Sequence, residues 1–203
     1  MNVLIVGKTF MHARQEVCIG GLDLESNKSL RLLQPSGSNH LVNVEYELGQ
    51  IWELDIRPRP SITPPHVEDV LVLQKRFIEE QAELKNFVMA RVPIWKNHPI
   101  NLFDRKIQFT SNGSGYVSKR IGLSNVSTGY WISDQVLTRK DQEGKVRYHY
   151  MGGPLLTYVG VAEPVDVIPK GALIRVSLAR WWKPPDTAEL EERCYLQLSG
   201  WFL

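Results

Sequence analysis

The residues best suited to chemistry lie in the last third of the chain, on two segments with the alternation of β-strands. After Gly171, apolar Ile174, Val176 and Leu178 alternate with Arg175 and Ser177, and the run ends in Arg180, Trp181, Trp182 and Lys183. The second segment reads Arg193-Cys194-Tyr195-Leu196-Gln197-Leu198-Ser199-Gly200-Trp201-Phe202-Leu203. Alternate side chains of a strand point to opposite faces, so Cys194, Leu196, Leu198 and Phe202 are expected in a core. Arg193, Tyr195, Gln197, Ser199 and Trp201 then share the other face. If the two strands pair, Arg175, Arg193, Tyr195 and Trp201 form one exposed surface. Guanidinium groups meet phosphates and aromatic rings stack on bases, each stack contributing about 1–3 kcal/mol. Arg175, Arg180, Trp181, Lys183, Arg193, Tyr195 and Trp201 are therefore the candidate ligand-binding residues. The competing structural reading has Trp181, Trp182 and Trp201 closing a core against a short helix. In that case the arginines pair with Glu189, Glu191 and Glu192.

Other chemistry is thinly represented. His12, His40, His66, His98 and His149 are scattered, and none stands at metal-ligand spacing from a cysteine or carboxylate, so no metal or cofactor is expected. Cys18 precedes Gly20 and Gly21, but glycines in a strand mark bulges and tight bends more often than an amide pocket beside a nucleophile. Asp141, Glu143 and Lys145 contain a nuclease-like Glu-x-Lys spacing, yet with Gly144 they read as a charged hairpin tip. Gly113 and Gly115 with Lys119 and Arg120 lack the spacing of a phosphate loop. No catalytic residue emerges, and a non-catalytic binding module is the expectation.

The composition is compatible with that expectation. With 203 residues and 43% hydrophobic content, the chain can build a core or two, which excludes global disorder. A net charge of +2 is too small for a protein that coats nucleic acid indiscriminately, so any anion-binding face must be local. Six tryptophans raise the prospect of a binding face without fixing it. Cys18 and Cys194 lie in apolar runs and are expected as buried, reduced thiols. The apolar run Val3 to Val6 is too short for a signal peptide or a membrane span. No membrane association is expected, and the cytoplasm is the default compartment.

The elements that must position these residues are mostly short strands. Residues 2–6, 16–24, 29–33, 50–57 and 67–73 read as strands, the second and third joined as a hairpin through Glu25-Ser26-Asn27-Lys28. Residues 34–39 read as loop. Residues 77–90 carry good helix formers with apolar Ile78, Ala82, Leu84 and Val88 and predict a helix. Residues 93–129, mixing Pro, Asn, Gly and Ser with isolated aromatics, read mainly as connection. Residues 131–138 and 145–150 read as a second hairpin, and Asp186 with Glu189 as the capping box of a short helix. Apolar Trp52, Leu54 and Ile56 follow Gly49 at the same offsets as Ile174, Val176 and Leu178 follow Gly171, which predicts a duplicated β-unit. The fold class expected is mainly β, two small OB-like barrels with one or two short helices. The first spans residues 1–92, the irregular connection 93–129 and the second barrel 130–203, with strands possible in common.

Four phrases carry a family resemblance: Val17-Cys18-Ile19-Gly20-Gly21-Leu22, Ser29-Leu30-Arg31-Leu32-Leu33, Ser177-Leu178-Ala179-Arg180-Trp181-Trp182 and residues 193–202. Together they resemble a prokaryotic family of dual OB-containing domains. The resemblance spans both ends of the chain and implies two OB-like barrels and a place in prokaryotic conflict or nucleic-acid processing systems. It brings no catalytic residues with it. The function expected is the binding of single-stranded nucleic acid or a nucleotide on the second barrel. The alternative is a structural subunit whose aromatic faces dock a partner protein.

Overall fold

Alternating and continuous apolar runs of the N-terminal half become strands that close on one another. The computed structural model describes residues 1–11, 15–183 and 191–203; the helix expected at Asp186 lies outside them. The first unit comprises Met1–Thr63 and Val67–Pro93. Its strands are β1 (Asn2–Met11), β2 (Glu16–Asp23), β3 (Ser29–Leu33), β4 (His40–Leu41), β5 (Gln50–Pro58) and β6 (Asp69–Glu80). β1 pairs with β2 and β5, β2 with β3, β5 with β6, and β3 runs parallel to β6. The order β1-β2-β3-β6-β5-β1 closes a five-strand barrel, the arrangement of an OB fold. Leu4, Ile19, Leu32, Leu54 and Val70 are among its buried residues, and β4 adds to β2 at the side.

The second unit comprises Pro64–His66 and Ile94–Leu203. It contains β7 (Ile94–Lys96), β8 (Gln108–Phe109), β9 (Gly115–Ser118), β10 (Thr128–Ile132), β11 (Leu137–Arg139), β12 (Arg147–Tyr150), β13 (Leu155–Tyr158), β14 (Val167–Ile168), β15 (Leu173–Leu178) and β16 (Arg193–Phe202). β10 pairs with β15, β11 with β12, β12 with β13, β13 runs parallel to β16, and β16 pairs with β15. With β10 and β11 taken as two parts of one first strand, the strand order of the first barrel repeats. The protein is therefore mainly β and built of two OB units.

The duplication holds in register. β5 and β15 are the fourth barrel strand of their units. Gly49 and Gly171 enter them at φ +91° and +84°, a left-handed conformation that glycine adopts without Cβ strain. Trp52 lies opposite Val3 and Phe77, and Ile174 opposite Trp131 and Trp201, in equivalent places. Trp52, Leu54, Ile174, Val176 and Leu178 are buried and Ile56 is half-buried.

Three local expectations are corrected. Residues 77–80 are not helical. They continue β6, with Phe77 opposite Trp52 and Glu80 opposite Gln50, and the helix α1 is confined to Leu84–Met89. Helix propensity there yields to a ladder already running and to an edge-to-face contact of Trp52 with Phe77 at 5.6 Å. The second hairpin is made by β11 and β12 alone, because Thr128–Ile132 turns away to pair with β15. Residues 94–118, read as connection, supply β7, β8 and β9 and a 3-10 segment Pro99–Arg105 that buries Leu102 and Phe103 in the second core. Single aromatics between prolines and glycines have no period to betray them. Among the described residues no helix is long and apolar enough to cross a membrane.

Gly129 tests the second core. A Cβ there would stand 2.3 Å from Cζ3 of Trp95, and that ring is held 4.8 Å from Phe103. Gly129→Ala is expected to cost about 1–3 kcal/mol in urea unfolding. Gly200→Ala, where no atom lies within 4 Å of the new Cβ, should be nearly neutral.

Candidate nucleic-acid interface

The first half of β16 pairs with β9, Arg193 opposite Ser118, Cys194 opposite Val117 and Tyr195 opposite Tyr116, and β8 sets Gln108 opposite Tyr116. Directly opposed residues share a face. Cys194, Val117 and Leu196 face the core, so Gln108, Tyr116, Tyr195 and Arg193 lie on the other side, where Tyr116 is buried and the other three are half-buried. The Tyr116 hydroxyl donates to Gln108 Oε1 at 2.9 Å. The Arg193 guanidinium lies 4.0 Å from the centre of the Tyr116 ring, and the Tyr116 and Tyr195 rings are 6.1 Å apart. No carboxylate pairs with Arg193 among the described residues, and its Nε is buried without a hydrogen-bond partner.

Trp182 completes the patch. Its backbone exchanges two hydrogen bonds with Arg193, at 3.0 and 2.9 Å, which sets the indole edge-on to Tyr195 at 5.8 Å. The indole is 50% exposed. Lys119 places its ammonium 5.1 Å from the centre of the Trp181 ring and 3.7 Å from a Glu192 carboxylate oxygen. Both partners of that ion pair are exposed, so it contributes about 0–1 kcal/mol and leaves the ammonium available.

Of the expected surface, Arg193 and Tyr195 share a face, and Arg175 and Trp201 do not join them. Arg175 does point away from Ile174 and Val176, but it is only 7% exposed, beside buried Tyr130. Burial pushes the Tyr130 phenol up in pKa and the Arg175 charge opposes that shift. Trp201 is redirected by a β-bulge. Arg175 lies opposite Gly200 and Val176 opposite Leu198, so Ser199 is left over. One extra residue reverses the alternation beyond it. Trp201 therefore comes opposite Ile174, half-buried at 5.8 Å from Tyr148 and 5.2 Å from Tyr158. Trp181 is likewise half-buried against the core, its indole N–H donating to the Pro64 carbonyl at 2.9 Å. Arg180 is half-buried and Lys183 exposed.

No pattern in the sequence marks Tyr116 or Gln108, and Lys119 stands out only within a segment that lacks phosphate-loop spacing. The signal for Tyr116 was alternation around Val117, four residues long and lost among turn formers. Of the two thiols, Cys194 is buried and pushed up to about 12 by burial, whereas Cys18 is half-buried, because Val17 and Ile19 take the inward positions of β2. Among the described residues no three His, Cys, Asp or Glu side chains are grouped to hold a metal ion.

Two outcomes are expected. Trp201→Ala should cost about 2 kcal/mol or more in urea unfolding, for loss of ring packing on the core, while Trp182→Ala stays within about 1 kcal/mol of the parent. Cys194 should resist thiol reagents at pH 8 in the folded protein and react on unfolding; labelling of the native thiol within minutes would contradict its placement.

No curated protein and no solved structure matches this chain. A sequence model of the dual OB-containing domain family does, over residues 1–201. The two barrels of like topology and the match over almost the whole length agree, and the chain belongs to that dual OB-containing domain family.

Proposed function

We propose that the protein is a non-catalytic module that binds single-stranded nucleic acid on the outer face of β9 and β16. The observation that carries this reading is Trp182, half exposed and edge-on to Tyr195, beside an Arg193 that no described carboxylate neutralises. A base stacks on the indole or the Tyr195 ring, and Arg193 and Lys119 meet the flanking phosphates. Lys183, exposed next to Trp182, extends the cationic side. OB barrels characteristically combine aromatic stacking with a short basic groove in this way. The modest net charge fits a short track rather than a long one. A place in a prokaryotic conflict system, implied by family resemblance, belongs to this proposal.

The test is a fluorescence-quenching titration with short oligonucleotides at two salt concentrations. With about three cations engaged, log affinity should fall with log salt at a slope of roughly −2. Trp182→Ala should weaken binding roughly tenfold with the fold intact. Binding that ignores salt would sink the phosphate contacts and favour a docked protein partner instead.

A further inference from the structure

β3 covers one edge of β6 only from Asp69 to Leu71, while β5 covers the other edge as far as Glu80. Among the described residues no other strand reaches the edge that β3 leaves, and no backbone hydrogen bond outside the β5 ladder engages residues 72–80. Every residue from Leu73 to Glu80 is exposed, Phe77 at 45% and Ile78 at 37%. A strand lying on a core alternates between buried and exposed positions, but this stretch offers solvent both faces and one edge. Such an edge is a template for another strand.

The order of its charges selects which strand. In Lys75-Arg76-Phe77-Ile78-Glu79-Glu80 the two cations precede the apolar pair and the two anions follow it. The register with β5 fixes their faces. Lys75, Phe77 and Glu80 lie opposite Leu54, Trp52 and Gln50, whereas Arg76 and Glu79 lie opposite Glu53 and Ile51. Ile78 is left over as a bulge between Phe77 and Glu79. Opposed residues share a face, so Lys75, Phe77 and Glu80 occupy one face and Arg76 and Glu79 the other. An edge of a single sign repels its own copy; this one, turned end for end, meets the opposite sign at every charged position. Among the described residues no cation pairs with Glu79 or Glu80. Lys75 and Arg76 are held only by Glu45 and Glu53 in exposed ion pairs, which contribute little and admit a second carboxylate.

We propose that the chain pairs with a second copy of itself through this edge, β6 antiparallel to β6 about a two-fold axis at Phe77. Phe77 then lies opposite Phe77 of the second copy, Arg76 opposite its Glu79 and Lys75 opposite its Glu80, and the two-fold repeats each ion pair. The bulge makes the match possible. A two-fold axis perpendicular to a sheet brings together residues of the same face, and with Ile78 set aside Lys75 shares a face with Glu80 and Arg76 with Glu79. The free backbone groups of each edge gain partners, and the exposed Phe77 rings cover one another. The contact is a narrow ribbon, so the dimer is a weak one. It shares no residue with the β9–β16 face and does not rest on it.

Sedimentation equilibrium of the full chain, without oligonucleotide, tests it. Between about 2 µM and about 500 µM the monomer should pass into a dimer with a Kd on the order of 10–100 µM. The double variant Glu79→Lys, Glu80→Lys sets like charges opposite Arg76 and Lys75 and should weaken the dimer at least about tenfold. Lys75→Glu with Arg76→Glu should do the same. An equimolar mixture of the two double variants restores every opposite-charge pairing and should dimerise about as well as the parent, with thermal melting confirming that each is folded. Three results would each overturn the proposal: a parent that stays monomeric up to about 500 µM, an undiminished dimer of the folded Glu79→Lys, Glu80→Lys variant, or a mixture of the two folded variants that stays monomeric.

Discussion

Strand β16 is hydrogen-bonded along both edges, to β15 on one side and to β9 and then β13 on the other, and its single bulge at Ser199 decides which side chains each half presents. Before the bulge, Cys194, Leu196 and Leu198 face the core while Arg193 and Tyr195 face out. After it, Trp201 enters the core face opposite Ile174. Without the extra residue Trp201 would stand with Arg193 and Tyr195, and the contacts with Tyr148 and Tyr158 would be lost. The parallel pairing with β13 joins the third barrel strand to the last. The antiparallel pairing with β9 gives its outward half a second row of side chains. The candidate interface exists because one strand serves three neighbours.

The same strand order underlies both units, and the equivalences extend to individual pairs. Trp52 between Val3 and Phe77 corresponds to Ile174 between Trp131 and Trp201. In the first barrel the large ring sits on the fourth strand. In the second, a smaller side chain there is flanked by two indoles. Cores tolerate such exchanges when the total volume is kept. The pairing of the last two strands carries two bulges in the first barrel and one in the second, none at equivalent positions.

The sequence disclosed the fold through signals that survive in short segments: period-two alternation, the turn at residues 24–28, and the Gly49 and Gly171 offsets. It did not disclose what depends on a partner strand. Residues 77–80 look helical in isolation and become strand because Gln50, Ile51 and Trp52 lie beside them. β8 and β9, two and four residues long, have too few positions to show alternation. The Ser199 bulge cannot be seen in a sequence that alternates from Cys194 to Phe202, so alternation pairs Arg193 with Tyr195 correctly and places Trp201 on their face, where the structure does not have it. Alternation also turns Arg175 away from the core residues of its strand, but burial on the outer side of a sheet leaves no mark in local pattern.

The outward positions of the two barrels differ in charge. On the first, the outward positions of β5 are Glu53 and Asp55, both exposed, and the nearby cation Arg76 is spent on Glu53 in a two-nitrogen contact. Glu45 and Glu47 stand exposed beside the loop that carries Tyr46, each already paired to a lysine. Glu45, Glu47 and Glu53 are thus each balanced by a cation, which leaves this surface with little net field of its own. On the second, the residue equivalent to Glu53 is Arg175, buried beside Tyr130, and the outward half of β16 offers a half-buried guanidinium that no described carboxylate neutralises, with the exposed Trp182 beside it. In the proposed function, that ring and guanidinium are the groups that meet a base and a phosphate. A single fold, copied once, has thus kept its hydrogen-bond ladder and exchanged the chemistry of its outward positions, where substitution costs the barrel least.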